Sequence, residues 1–133
     1  MGCGGRTTRL HHVALGAREV EEVAAFYRDL LGLREVRRND AADGRLRSIW
    51  LDLGGALLMV ERTARPPRHV VGVGAGPFLV SLAVTEAELS DLEGVLAGAG
   101  FPVESRTAHT IYVRDPEGNR VGLSCYPVPQ TSQ

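Results

Sequence analysis

The sequence has few of the features that mark several protein classes. It contains two cysteines, Cys3 and Cys125, and no Cys-x-x-Cys pair, so we expect neither a disulfide framework nor a zinc cluster. No apolar run approaches the roughly 18 residues of a membrane span, and the N-terminal stretch lacks the apolar core of a signal peptide. The formal net charge of −1 offers no basic surface to nucleic acid. These absences predict a cytoplasmic protein that contacts neither membranes nor nucleic acids.

The length of the chain predicts one domain. With 133 residues and 44% hydrophobic content, the protein can bury a hydrophobic core without the support of disulfides or bound metal. We expect that domain to cover residues 9–127. Residues 1–8 are predicted to be a flexible N-terminal tail, and residues 128–133 a C-terminal tail.

Within this domain one order of elements occurs twice. Module one, residues 9–62, begins with an alternating strand, continues with helical spacing in "EVEEVAAFYRDLLGL" and ends in three strand-like segments. Module two, residues 77–127, repeats that order, and Thr85 with Glu88 forms a capping box at the start of its helix. Residues 63–76 are the predicted linker, stiffened by two adjacent prolines. The sequence thus predicts an α+β fold of two βαβββ modules.

Such modules place side chains in a predictable way. Each is expected to form an open, curved, mixed sheet with its helix outside, so alternate strand residues point away from the helix. Two such sheets that face each other would form a cleft, and concave sites are where small molecules bind.

The order of elements, together with "HHVAL", "AFYRDLLGL" and "IYVRDPEGN", resembles the vicinal oxygen chelate superfamily. That group includes glyoxalase I, extradiol dioxygenases, fosfomycin-resistance thiol transferases and bleomycin-resistance proteins. The resemblance extends over residues 9–127 and implies a homodimer. It specifies the fold better than the reaction, because this fold supports several chemistries.

The resemblance also implies four positions for the ligands of a divalent metal. The first is His12, and the second lies in "ALLMVER", where Glu61 is the only carboxylate and faces the cleft in one register but solvent in another. The third and fourth positions are Leu79 and Gly122, which cannot bind a metal. A catalytic metal generally needs about three protein ligands. We therefore expect no cofactor, with a divalent metal at His12 and Glu61 as the less favoured alternative.

The residues expected to line the cleft are of mixed polarity. The candidate ligand-binding residues are His12, Trp50, Met59, Leu79, Tyr112, Arg114, Gly122 and Ser124. Five further residues share the inward set, namely Ala14, Asp52, Ser81, Arg120 and Tyr126. This combination is typical of a site for an aromatic or mixed-polarity ligand. The alternative is that these side chains only fill the space between the sheets. The missing side chain at Gly122 would leave extra room for a ligand beside Tyr112.

Three functions remain open at this point. The favoured one is a metal-free protein that binds a small organic ligand, similar to the bleomycin-resistance branch. The second is a metal-dependent lyase, isomerase or dioxygenase whose site is rearranged around His12 and Glu61. The third is a domain that acts mainly through contacts with partner proteins. Whether the chain is an enzyme, and which residues would be catalytic, is left undecided by the sequence.

Overall fold

The structure is a computed structural model that describes residues 6–128. It divides between Arg65 and Pro66 into two compact units. Each unit contains one four-stranded mixed sheet and one helical segment, in the order strand, helix, three strands. The predicted α+β fold of two βαβββ modules is therefore confirmed. Neither helix within residues 6–128 has the length and apolar character to cross a membrane.

Module one has its strands in the spatial order β1-β4-β3-β2. Strand β1 pairs parallel to β4, and the other two pairs are antiparallel. The helix α1 continues directly into a π-helical segment, whose wider turn accompanies the burial of two consecutive aromatic rings, Phe26 and Tyr27. The elements are β1 (His12–Ala17), α1 (Val20–Ala25), the π-helical segment (Phe26–Leu30), β2 (Glu35–Asp40), β3 (Leu46–Asp52) and β4 (Leu57–Arg62).

Module two repeats this arrangement with shorter strands in the order β5-β8-β7-β6. The predicted capping box is present, since Thr85 Oγ1 accepts from the Glu88 backbone and the Glu88 carboxylate accepts from the Thr85 backbone. Strand β5 has four residues and β6 has two, so both are shorter than β1 and β2 of module one. The elements are β5 (Val80–Ala83), α2 (Glu86–Gly98), β6 (Ser105–Arg106), β7 (Thr110–Arg114) and β8 (Arg120–Ser124).

In both modules, one face of the sheet packs against the helix and forms the core. The strand register places apolar partners side by side on this face, so that Ile49 pairs with Val60 and Leu51 with Leu58. The corresponding buried residues of module two are Ile111, Val113, Val121 and Leu123. Each such side chain contributes about 1.5–3 kcal/mol relative to an exposed one. Because the strand period is two, the core fixes which residues occupy the opposite face. We call this opposite face the helix-free face.

An ion-pair network on the helix side joins α1 to β2. Arg38 contacts Glu21 at 2.6 Å and Glu35 at 3.1 Å, and Arg28 contacts the same two carboxylates at 3.1 and 2.8 Å. The hydrogen bond from Arg38 is the main cause that lowers the pKa of both Glu21 and Glu35. This network holds an edge strand of module one against its helix.

The turn between β7 and β8 is organised by a buried aspartate. Asp115 is 3% exposed. Its Oδ1 accepts hydrogen bonds from the backbone N–H groups of Glu117 and Asn119, and its Oδ2 accepts one from the Asn119 side chain, all at 2.9 Å. The Asp-Pro-Glu-Gly-Asn sequence thereby fixes the register of the last two strands, and with it the positions of the residues on their helix-free face.

Candidate ligand-binding faces

The helix-free face of module one centres on the only tryptophan of the chain. Trp50 on β3 is half-buried and pairs across the sheet with Met59 on β4. The guanidinium of Arg37 lies 5.3 Å from the centre of the indole ring. The indole Nε1 is buried and has no hydrogen-bond partner. The structure therefore places Trp50, Met59 and Arg37 beside one another on this face.

His12 lies at the edge of this face, at the start of β1, and is exposed. Its Nδ1 is 2.8 Å from the Nδ1 of His11, so the two neighbouring imidazoles share a hydrogen bond. Ala14 and Asp52 share this face. Asp52 is engaged in the β3–β4 turn, where hydrogen bonding to the Gly54 backbone is the main cause that lowers its carboxyl pKa.

The strand register decides the orientation of Glu61. Its Cα is the partner of Gly16, whereas His12 is the partner of Leu57, so Glu61 and His12 lie on the same helix-free face. They are four strand positions apart, which corresponds to about 13 Å at about 3.3 Å per residue. The imidazole and the carboxylate therefore do not meet at one metal ion.

In module two, the helix-free face is built around Gly122. A Cβ at this position would lie 2.9 Å from Ser81 Oγ, 3.3 Å from Ser81 Cβ and 3.4 Å from Tyr112 Cε1. The expectation of extra room for a ligand beside Gly122 is therefore wrong, because the hydroxyl of Ser81 and the ring of Tyr112 already fill that space. Above the Tyr112 ring, the guanidinium carbon of Arg120 lies 4.1 Å from the ring centre.

Arg114 occupies the same face and is engaged through its Nε and Nη1 groups. It forms an ion pair with Glu104 at 3.0 Å and donates from Nη1 to the carbonyl oxygens of Val70 and Gly118. The hydrogen bond from Arg114 is the main cause that lowers the pKa of the Glu104 carboxyl group. Ser124 accepts a 2.7 Å hydrogen bond from the Thr110 hydroxyl. Both side chains therefore contribute to the internal structure of module two.

Two of the predicted inward residues lie outside the strands. Leu79 immediately precedes β5 and is half-buried, and Tyr126 follows β8, where its ring meets that of His109 edge-on at 5.3 Å. The position of Arg37 beside the Trp50 ring was not predicted from the sequence. The signal that could have found it is the antiparallel pairing of β2 with β3, which sets Arg37 beside Trp50.

The donor set does not fit the metal centre that the resemblance implies. Of the four expected positions, Leu79 and Gly122 offer no donor, and His12 and Glu61 are too far apart to share an ion. Among residues 6–128, no three His, Cys, Asp or Glu side chains come together in a way that could hold a metal. No catalytic step through a metal is derived from this arrangement.

Two βαβββ modules, each an open mixed sheet with one helical face, define the vicinal oxygen chelate class of fold. The sequence comparison is more specific, because residues 9–123 match the Glyoxalase/Bleomycin resistance protein/Dioxygenase superfamily. The chain belongs to this superfamily. No curated protein sequence matches it.

Several solved structures share the fold at low sequence identity. A glyoxalase/dioxygenase from Nostoc punctiforme is 17% identical, with a TM-score of 0.77 and coverage of 96% of this chain and 97% of that one. A lactoylglutathione lyase from Agrobacterium tumefaciens is 24% identical, with a TM-score of 0.65 and coverage of 90% and 95%. A variant of the fosfomycin resistance protein FosX from Listeria monocytogenes, in complex with Mn(II) and a dihydroxypropylphosphonic acid, is 12% identical, with a TM-score of 0.76 and coverage of 92% and 96%. At these identities the likeness concerns the fold alone.

Proposed function

We propose that this protein binds a small organic ligand of partly aromatic character on its helix-free faces, without the full metal site of its superfamily. One observation carries the proposal. Within residues 6–128, only two buried side-chain polar atoms lack a hydrogen-bond partner, and they are Trp50 Nε1 and Arg120 Nε. One belongs to each module, and both side chains lie on a helix-free face.

The energetics of these two atoms support binding. A buried donor without an acceptor costs about 1–3 kcal/mol, and unsatisfied groups of this kind are uncommon in native proteins. A bound molecule that offers an acceptor to one of these donors would remove the cost at that donor. The neighbouring Met59 and the rings of Trp50 and Tyr112 supply the apolar and aromatic surface that organic ligands contact.

Ligand screening by thermal shift and calorimetry tests the proposal. With a library of aromatic compounds and antibiotics, we expect hits that raise the melting temperature. A compound at 100 times its Kd should add about 2.7 kcal/mol to the free energy of unfolding. Trp50→Phe keeps an aromatic ring but removes the N–H donor, so it should weaken the hits while the melting temperature of the free protein stays close to the wild-type value.

A complete lack of hits across such a library would contradict the proposal and favour a domain that acts through partner proteins. The metal-free part has its own test, which is elemental analysis of protein purified without chelators. We expect less than one tenth of an equivalent of zinc, iron or manganese. A stoichiometric, tightly held metal would instead contradict the metal-free part and support the alternative, a metal-dependent lyase, isomerase or dioxygenase.

The assembly and location of the protein are also proposals. Members of this superfamily bind small molecules and often act as dimers, and we propose a homodimer in the cytoplasm. Light scattering coupled to size exclusion should then give twice the chain mass of 14.3 kDa. A mass of one chain at micromolar concentration would argue against the dimer.

A further inference from the structure

Arg120 has no ion-pair partner among residues 6–128, which is unusual for a half-buried arginine. It opens β8, and its Cα pairs with that of Arg114 across the β7–β8 ladder. Its guanidinium carbon stands 4.1 Å from the centre of the Tyr112 ring, well within the range of a cation–π contact. A cation–π contact holds the guanidinium against the ring and is not a hydrogen bond to a protein acceptor.

The two neighbouring arginines of this face differ in how their donors are used. Arg114 has an acidic partner, Glu104, and two carbonyl oxygens as acceptors. For Arg120 no ion pair or hydrogen bond occurs within the described part of the chain, and its Nε is buried without an acceptor. The Arg120 charge does act on Glu104, but the hydrogen bond from Arg114 dominates there. Arg114 is therefore structural, and Arg120 retains its donors and its charge.

Gly122 explains how Arg120 stays unpaired. Residues 120 and 122 alternate onto the same face of β8, and position 122 is the direct cross-strand partner of Tyr112. A carboxylate at position 122 would lie within reach of the Arg120 guanidinium and neutralise it. A Cβ there would lie 2.9 Å from Ser81 Oγ and would touch the Tyr112 ring at 3.4 Å, an ordinary van der Waals contact. The glycine thus leaves the Arg120 charge without a carboxylate beside it.

We propose that Arg120 is an oxyanion-binding residue, whose Tyr112-stacked guanidinium holds a carboxylate or phosphate group of the ligand. This inference rests on the proposed function and names the class of ligand. The planar guanidinium matches the two oxygens of such a group with two parallel hydrogen bonds. The Nη1 and Nη2 groups, which are not buried, supply these donors.

The test is an NMR titration of the arginine Nε–Hε signals with four probes. Benzoate and phenyl phosphate carry an oxyanion on an aromatic ring, benzamide is the neutral counterpart of benzoate, and inorganic phosphate carries the charge without the ring. We expect benzoate or phenyl phosphate to shift the Arg120 signal and to bind more tightly than benzamide. Loss of a charge-assisted hydrogen bond in Arg120→Gln should lower that affinity at least about tenfold. Arg68→Gln removes an equal charge from an exposed linker position and should change it less than about twofold.

Unchanged affinity in Arg120→Gln, or equal binding of benzamide and benzoate, would overturn the inference. The two proposals can be refuted independently. If library compounds bind but no oxyanion shifts the Arg120 signal, ligand binding is supported and the oxyanion site is refuted. If inorganic phosphate shifts the Arg120 signal but no organic compound binds, the oxyanion site is supported and the organic ligand is refuted.

Discussion

The close packing at Gly122 makes Gly122→Ala a quantitative test of the described geometry. The new Cβ would lie 2.9 Å from Ser81 Oγ and 3.3 Å from Ser81 Cβ. The hydroxyl can rotate away, but the Ser81 Cβ cannot move without the backbone of β5. Overpacking of this kind costs about 1–3 kcal/mol, while the loss of glycine flexibility in the unfolded chain returns about 0.4–1 kcal/mol. We therefore expect the free energy of unfolding to fall by about 1 kcal/mol.

The assay is urea unfolding of a double-mutant cycle. In a Ser81→Gly background both close contacts are gone, so Gly122→Ala should be neutral or stabilising there, with a coupling of about 1 kcal/mol between the two sites. Gly94→Ala is the control, because it lies within α2 with no atom within 4 Å of its Cβ and should stabilise by about 0.5–1 kcal/mol. A stabilised Gly122→Ala single variant, or no coupling with Ser81, would refute the packing argument.

Three further predictions follow from the described contacts. Asp115→Ala removes the acceptor of the β7–β8 turn and should lower the free energy of unfolding by at least about 2 kcal/mol in urea; an unchanged value would show that the turn forms without it. Glu21 and Glu35 have folded pKa values below their ordinary 4.5, so their contribution to stability is complete above pH 4.5 and is lost as the pH falls through the folded pKa values. The free energy of unfolding, measured in urea, should therefore decrease less between pH 7 and pH 3.5 for Arg38→Gln than for wild type. Equal decreases would contradict this. His12→Ala should change the free energy of unfolding by less than about 0.5 kcal/mol, since His12 is exposed; a larger loss would make His12 structural.

The repeat of elements was predictable because local signals agreed with one another. Helical spacing, the Thr85–Glu88 capping box and the Asp-Pro-Glu-Gly turn each act within a few residues, and all three are present. The lengths of β5 and β6 were not predictable, because a strand ends where its partner strand stops offering hydrogen bonds. The π-helical segment after α1 was missed for a similar reason, since the burial of Phe26 and Tyr27 within it depends on tertiary packing.

The sequence could predict which strand residues share a face of the sheet, but not which other side chains they contact. Period-two alternation correctly grouped Trp50 with Met59, and Tyr112 with Arg120. It could not show that Arg114 is paired with Glu104 and two carbonyl oxygens, whereas the Arg120 donors have no acceptor among the described residues. The partners of Arg114 come from other parts of module two. Nor could it show that the space at Gly122 is filled, which depends on the cross-strand neighbour and not on the strand itself.

The contacts around Gly122 also bear on how this protein can change by mutation. A single substitution that introduced a carboxylate at this position would place its Cβ 2.9 Å from Ser81 Oγ. Ser81 would have to shift, and Leu79 would still offer no donor. The metal-binding arrangement of the family therefore cannot arise here by one substitution. Descendants of this sequence are expected to diversify by altering Arg120 and the residues around it, with the glycine retained.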